Sequence, residues 1–385
     1  MKVTITKADL KGSIKAMPSK SSAHRALICS ELAENPIKID NLPNSKDIEA
    51  TSSCLKALNS ADELKILDCG ESGSTLRFLL PVAPALKKNV TFKMHGRLPE
   101  RPLFPLDKQL ENHGCTLKKD GDLLHVSGKL TGGIFNLPGD VSSQFVTGLL
   151  LALPLLDEDS EIHIEGVLES KPYVDMTADV QKKFGVYSKF KDNIFYIKGN
   201  QKYSSPKNFT VEGDWSNGAF WLSAGKLTAG KVECTGLDPL SAQGDKEIIN
   251  ILKNLPCTVD ARDIPDLIPI VSAVASVTKG ETRIINAKRL TLKESDRLLA
   301  IYNVLSELGA DISRTADGLI INGKEKLMGS VIDSYNDHRI AMMAAIIAIK
   351  CEGPVTITLA EAVKKSYPLF WEDYKALGGK IKEEL

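Results

Sequence analysis

Two kinds of hydrophobic pattern alternate along the chain. The first is a run apolar on nearly every helical face, entered from a short strand through a turn of Gly, Pro, Ser or Asp. Helices with that pattern are buried. Six copies can be traced, beginning with Met17-Pro18-Ser19-Lys20-Ser21-Ser22-Ala23-His24-Arg25 and the apolar run after it. The second is Asp68-Cys69-Gly70-Glu71-Ser72-Gly73-Ser74-Thr75-Leu76-Arg77, and the third is Leu137-Pro138-Gly139-Asp140-Val141-Ser142-Ser143-Gln144-Phe145. Glu212-Gly213-Asp214-Trp215-Ser216 opens the fourth, Ile264-Pro265-Asp266-Leu267 the fifth and Ser334-Tyr335-Asn336-Asp337-His338-Arg339 the sixth.

The second kind is amphipathic: a helix ends near a Gly or turn, and two alternating strands follow. Residues 107–114 with strands at 115–117 and 123–126 fit it, as do 180–185 with 186–188 and 194–197, and 298–309 with 310–312 and 319–321. Looser copies lie at 47–58, 246–255 and 367–378. This internal repeat predicts an α/β (α+β) chain of two lobes with three units each. The expected lobes are 19–212, and 1–18 with 213–385, hinged near 18–19 and 208–213. The strand Lys2-Val3-Thr4-Ile5-Thr6 is assigned to the second lobe, because no complete unit precedes it.

Composition narrows the function. The 385 residues carry 49 Lys plus Arg and 49 Asp plus Glu, so a generic polyanion binder is disfavoured and any basic site is a local concentration. Seven scattered cysteines without a Cys-x-x-Cys pair read as free thiols in a reducing cytosol. The six histidines show no metal-type spacing, and no apolar run is long and clean enough to span a bilayer. A cytoplasmic protein without a signal peptide is expected.

The turns supply the chemistry. If the buried helices of a lobe pack side by side, their N-termini share one surface, and two such surfaces would form a cleft. Helix N-termini favour anions, and the turns add Lys20, Arg25, Arg77, Arg101, Arg297, Arg339 and Lys365. Arg97 and Arg101 sit together in His95-Gly96-Arg97-Leu98-Pro99-Glu100-Arg101-Pro102, where a guanidinium fork suits carboxylate or phosphate. Glu169-Ser170-Lys171-Pro172-Tyr173 reads as a restricted turn with two hydroxyls. The run 288–297 is dense in charge, either a solvated face or part of the site. Asp266, among prolines and isoleucines, is either a helix cap or a general base in a cationic site. The ligand expected is a small, multiply charged anion, bound by closure of the two lobes.

Taken in order, these motifs resemble those of the 5-enolpyruvylshikimate-3-phosphate synthases, the enolpyruvyl transferases of the shikimate pathway. The resemblance runs along essentially the whole chain. It rests on Ser19-Lys20-Ser21 with Arg25, Gly70 to Ser74 with Arg77, Glu100-Arg101-Pro102, Ser142-Ser143-Gln144, Ser170-Lys171-Pro172-Tyr173 and Glu212-Gly213-Asp214. Ile264-Pro265-Asp266, Lys293-Glu294-Ser295-Asp296-Arg297, Asn336-Asp337-His338-Arg339 and Lys365-Ser366-Tyr367-Pro368 complete it. It implies a two-lobed inside-out α/β barrel, each lobe holding three βαβαββ repeats around buried parallel helices. It also implies transfer of the enolpyruvyl group of phosphoenolpyruvate to the 5-hydroxyl of shikimate 3-phosphate, with release of phosphate by addition and elimination, towards chorismate and the aromatic amino acids. No metal or organic cofactor is implied, and the expected form is a monomer that binds neither nucleic acid nor membrane.

Residue by residue, the resemblance gives shikimate 3-phosphate to Lys20, Ser21, Arg25, Ser142, Ser143, Gln144, Ser170, Tyr173, Asp266 and Lys293. The lobe 19–212 takes most of that substrate. Phosphoenolpyruvate falls to Lys20, Gly73, Arg101, Gln144, Arg297, Arg339 and Lys365. Asp266 takes the hydroxyl proton, Glu294 protonates the methylene and Lys20 assists. Departures from the common pattern are Met17-Pro18, Glu71, Ser72 and Arg289. Ser72, next to Gly73, bears on the space in which glyphosate, the family's inhibitor, competes with phosphoenolpyruvate. The alternatives are the sister transferase that uses UDP-N-acetylglucosamine, whose loop Cys is missing from 95–102, and a non-catalytic anion-binding protein of the same fold, against which Asp266 and Glu294 argue.

Overall fold

The apolar runs are helices, and most begin at a short polar side chain that caps them. The structure, a computed structural model, describes residues 1–62, 64–229 and 231–384. The chain divides into two units, Pro18–Val211 and Met1–Met17 with Glu212–Leu385, so the breaks lie one residue before those read from the pattern.

The helices of the unit Pro18–Val211 are Lys20–Leu32 (α1), Lys46–Asn59 (α2), Gly73–Ala85 (α3), Leu106–Asn112 (α4), Ser143–Ala152 (α5) and Lys171–Lys183 (α6). Ser19, Ser72 and Ser142 accept from backbone N–H groups at the starts of α1, α3 and α5, pairing donors the helix itself leaves open. Nearly every residue of α3 and α5 is buried. Residues 171–173 belong to a helix rather than to the restricted turn expected: α6 starts at Lys171 with Pro172 in its first turn, where a missing N–H costs nothing.

Two sheets of this unit share one topology. Lys65–Asp68 lies parallel to Val90–Lys93, which pairs antiparallel with Leu123–Gly128, itself hairpinned to Cys115–Asp120. Gly133–Pro138, Ser160–Glu165, Ile194–Ile197 and Ser188–Lys191 repeat the arrangement. The first repeat is reduced to isolated bridges, Ala33 to Tyr203 and Asp40 to Thr210. Pro36, Pro43 and Pro206 lie in these segments and cannot donate to a ladder.

The other unit holds Trp215–Leu227 (α7), Ile248–Asn254 (α8), Ile268–Ala275 (α9), Arg297–Glu307 (α10), His338–Ile347 (α11) and Phe370–Ala376 (α12). One sheet runs Thr258–Asp260, Glu281–Ile285, Leu319–Asn322, Asp311–Arg314. In the next, Val331–Asp333 and Val355–Thr358 are parallel, and the chain's first strand, Lys2–Thr6, lies between Val355–Thr358 and Lys380–Glu384. It occupies the place Leu319–Asn322 holds in the neighbouring sheet. A parallel pair, Gly12–Lys15 with Val232–Thr235, is what remains of the third. Each unit has its own hydrophobic core.

Candidate active site

Polar groups gather at the starts of the buried helices in both units. In Pro18–Val211, Arg25 is 2 % exposed, one turn into α1. Its Nε donates to Thr177 Oγ1 at 2.7 Å, and its terminal nitrogens donate to the carbonyls of Ser21 at 2.6 Å and Tyr173 at 2.8 Å. The guanidinium lies over the Phe78 ring, 5.1 Å from its centre. Burial lowers its pKa to about 10, which leaves it a cation at neutral pH. Lys20 pairs with Asp47 of α2 at 2.7 Å.

A second group forms at the start of α3. Arg77 donates to Gln144 Oε1 at 3.2 Å and to the Pro102 carbonyl at 3.1 Å, while Gln144 Nε2 donates to Ser74 Oγ at 2.9 Å. A Cβ on Gly73 would sit 2.6 Å from a terminal nitrogen of both Arg101 and Arg77, so the glycine is what admits two guanidinium groups to this turn. Arg101 Nε is buried and has no hydrogen-bond partner among the described residues. Ser142 caps α5, Ser143 is its first residue, and Ser170 stands in the left-handed region just before α6. Gly96 lies against the Glu71 carboxylate, which would meet any side chain placed there.

In the other unit the centre is Arg297, whose side chain is 1 % exposed. It donates to Asp266 Oδ1 at 2.8 Å, Glu294 Oε2 at 2.5 Å and Asp337 Oδ2 at 2.8 Å. Burial alone would weaken this cation, yet Asp337, Glu294 and Asp266 raise its pKa above the ordinary guanidinium value. Asp337 also caps α11 through the Arg339 N–H and accepts from Ser295 Oγ at 3.0 Å. The charged run at 288–297 is not a solvated face throughout: Lys288 is exposed, but Arg297 is one of the largest fully buried side chains.

Asp266 resolves likewise. At its helix start the cap position is held by Leu267, which has no capping side chain, and the Asp266 carboxylate takes cations instead. Arg297 and Arg339 reach it at 2.8 and 2.9 Å and Lys293 at 3.7 Å. Burial works to raise its pKa, but Arg339, Lys293 and Arg297 outweigh that and hold the carboxyl well below the usual carboxylate range. Burial lowers Lys293 to about 8 against the pull of Asp266. Lys365 donates to the Asn336 carbonyl at 2.9 Å, where Tyr335 and Asn336 both adopt left-handed backbone before Asp337. No cluster of His, Cys, Asp and Glu suited to a metal occurs among the described residues, and no described helix is long and apolar enough to cross a membrane.

Known proteins resemble this chain along nearly its whole length. A family model described as EPSP synthase (3-phosphoshikimate 1-carboxyvinyltransferase) matches residues 5–264 and 257–374. A 3-phosphoshikimate 1-carboxyvinyltransferase of Clostridium acetobutylicum is 45 % identical over 99 % of this chain and 98 % of its own length. One from Clostridium perfringens is 44 % identical, with both chains fully covered. The chain belongs to the EPSP synthase family. A solved EPSP synthase from Acinetobacter baumannii, 22 % identical, shares the fold with a TM-score of 0.81 over 99 % of this chain and all of that one.

Within the EPSP synthase frame, several partners of the expected residues were not legible in sequence. Asp47 under Lys20, Thr147 and Thr177 around Arg25, and Asp337 beside Arg297 come from distant segments. Arg77 and Asp337 lie at or near the starts of buried helices, so the residues themselves were signalled although their pairings were not; the two threonines carried no signal.

Proposed function

We propose that this chain performs its family's reaction, transfer of the enolpyruvyl group of phosphoenolpyruvate to shikimate 3-phosphate, through the charged groups just described. The observation that carries the residue-level reading is Arg297, which gathers Asp266, Glu294 and Asp337 on one buried cation. Asp266 takes the 5-hydroxyl proton as that oxygen attacks the enol carbon, and Glu294 protonates the methylene. Phosphate then leaves the tetrahedral adduct as the methyl group returns a proton. Lys20, Gly73, Arg101, Gln144, Arg297, Arg339 and Lys365 bind phosphoenolpyruvate. Lys20, Ser21, Arg25, Ser142, Ser143, Gln144, Ser170, Tyr173, Asp266 and Lys293 bind shikimate 3-phosphate. The enzyme works as a cytoplasmic monomer.

Both reacting carboxylates are bound by cations, Asp266 by Arg297 and Arg339 and Glu294 by Arg297. A carboxylate so paired is a weak base and a poor proton donor. An arriving phosphate competes for Arg339 and Arg297, and the proton affinity of Asp266 rises as it is released. Substrate binding thereby arms the base. Run in D2O, the reaction should place deuterium in the vinyl methylene of the product, detected by NMR. A product free of deuterium there contradicts protonation of the methylene.

Lys293 sets the alkaline limit. It is a cation below about 8 and neutral above, so kcat/KM should fall as pH rises through that region. Lys293→Arg, charged throughout, should flatten this limb even if its rate is lower. An unchanged limb in the variant assigns the titration to another group.

A further inference from the structure

A buried histidine is left over by the reaction. His24 is 1 % exposed, and its Nε2 has no hydrogen-bond partner among the described residues. Buried polar atoms are almost always paired, so an exception calls for a reason. Its other nitrogen begins a chain of hydroxyls: Nδ1 lies 2.7 Å from Thr51 Oγ1, which lies 2.7 Å from Thr75 Oγ1, which donates to Ser72 Oγ at 2.7 Å. Ser72 caps α3 by accepting from the Thr75 N–H, and the next residue is Gly73.

The direction of donation follows from counting hydrogens. Thr75 has one hydroxyl hydrogen, and its acceptors are Ser72 Oγ at 2.7 Å and, less closely, the Asp47 carbonyl at 3.4 Å. In either case it must accept from Thr51, and Thr51 must accept from His24 Nδ1–H. Nε2 is then a bare acceptor, the more tolerable of the two orphans. A neutral ring suits this, and burial, then Lys20 and Arg25, lower the His24 pKa well below its ordinary value.

We infer that His24 is a positioning residue for phosphoenolpyruvate: through Thr51, Thr75 and Ser72 it fixes the start of α3, where Gly73 meets Arg101 and Arg77. The relay crosses three helices, α1 to α2 to α3. A single side chain thus locks the turn that Arg101 must approach closely. The inference rests on the assignment of Gly73 and Arg101 to phosphoenolpyruvate.

The test is a comparison of KM for each substrate in His24→Leu, His24→Asn, His24→Gln and Thr51→Val, with Arg101→Ala as the reference. An Asn amide can donate from the place of Nδ1; a Gln amide reaches the place of Nε2. His24→Leu and Thr51→Val should each raise KM for phosphoenolpyruvate about tenfold, the size of one lost buried hydrogen bond. KM for shikimate 3-phosphate should hold within about twofold, and the double variant should be no worse than the single ones. His24→Asn should recover most of the affinity, and His24→Gln should not. Equal rises for both substrates, no rise, or equal rescue by Asn and Gln would overturn the inference. Should Arg101→Ala leave phosphoenolpyruvate unaffected, the underlying assignment fails instead. Thr51→Val, a near-isosteric change on α2, keeps the question decidable if His24→Leu does not fold.

Discussion

Asp266→Asn is expected to lower kcat by about 10²–10⁴-fold, the usual loss on removing a positioned base. The effect on binding should have the opposite sign. Asp266 pairs with Arg339, Arg297 and Lys293, so under the proposed assignment it competes with incoming anions for them, and the neutral amide should compete less. KM for phosphoenolpyruvate should therefore stay level or fall while turnover collapses. Steady-state kinetics at saturating shikimate 3-phosphate measure both quantities. A variant with normal kcat would remove Asp266 from the mechanism, and one with normal kcat but raised KM would make it a binding group.

Arg297→Met has the largest expected effect on stability. The guanidinium is buried and shared by Asp266, Glu294 and Asp337, and its loss removes the cation common to all three, while Asp266 keeps Arg339 and Lys293. Breaking a buried pair by removing one partner costs about 3–5 kcal/mol, readable as a lower urea midpoint. The pH dependence has a definite sign. In the native chain Asp266 has a depressed pKa, so its contribution is present above the ordinary carboxylate range and is lost as pH falls below it. In the variant this carboxylate cluster holds one cation fewer and is protonated more readily, so the deficit should shrink as pH is lowered towards 5. A deficit independent of pH would assign the loss to packing. Arg297→Lys should fall between, since an ammonium cannot present the same planar fork.

Much of this architecture could be read from the chain because buried helices and their caps are local signals. Ser19, Ser72, Ser142 and Asp214 each precede an apolar run and each caps it. The position of Asp266 in the repeat was equally legible, and its neighbours left a helix cap and a general base both open; the cations that bind it, Arg297 and Arg339, lie 31 and 73 positions away. Lys171 to Tyr173 misread as a turn because Pro172 resembles a breaker, although proline fits the first turn of a helix. The reduced sheet of the first repeat was not read from the chain: Pro36 and Pro43 remove donors there, and only the bridges Ala33 to Tyr203 and Asp40 to Thr210 show what replaces it. The hydroxyl chain from His24 to Ser72 was invisible, since its members are up to 51 positions apart and individually ordinary.

The most direct test is phosphate release from phosphoenolpyruvate by the purified chain, with shikimate 3-phosphate or UDP-N-acetylglucosamine as acceptor. Release that depends on shikimate 3-phosphate, and is lost in both Asp266→Asn and Glu294→Gln, is the result predicted. Release driven by UDP-N-acetylglucosamine, or by neither acceptor, would contradict the account.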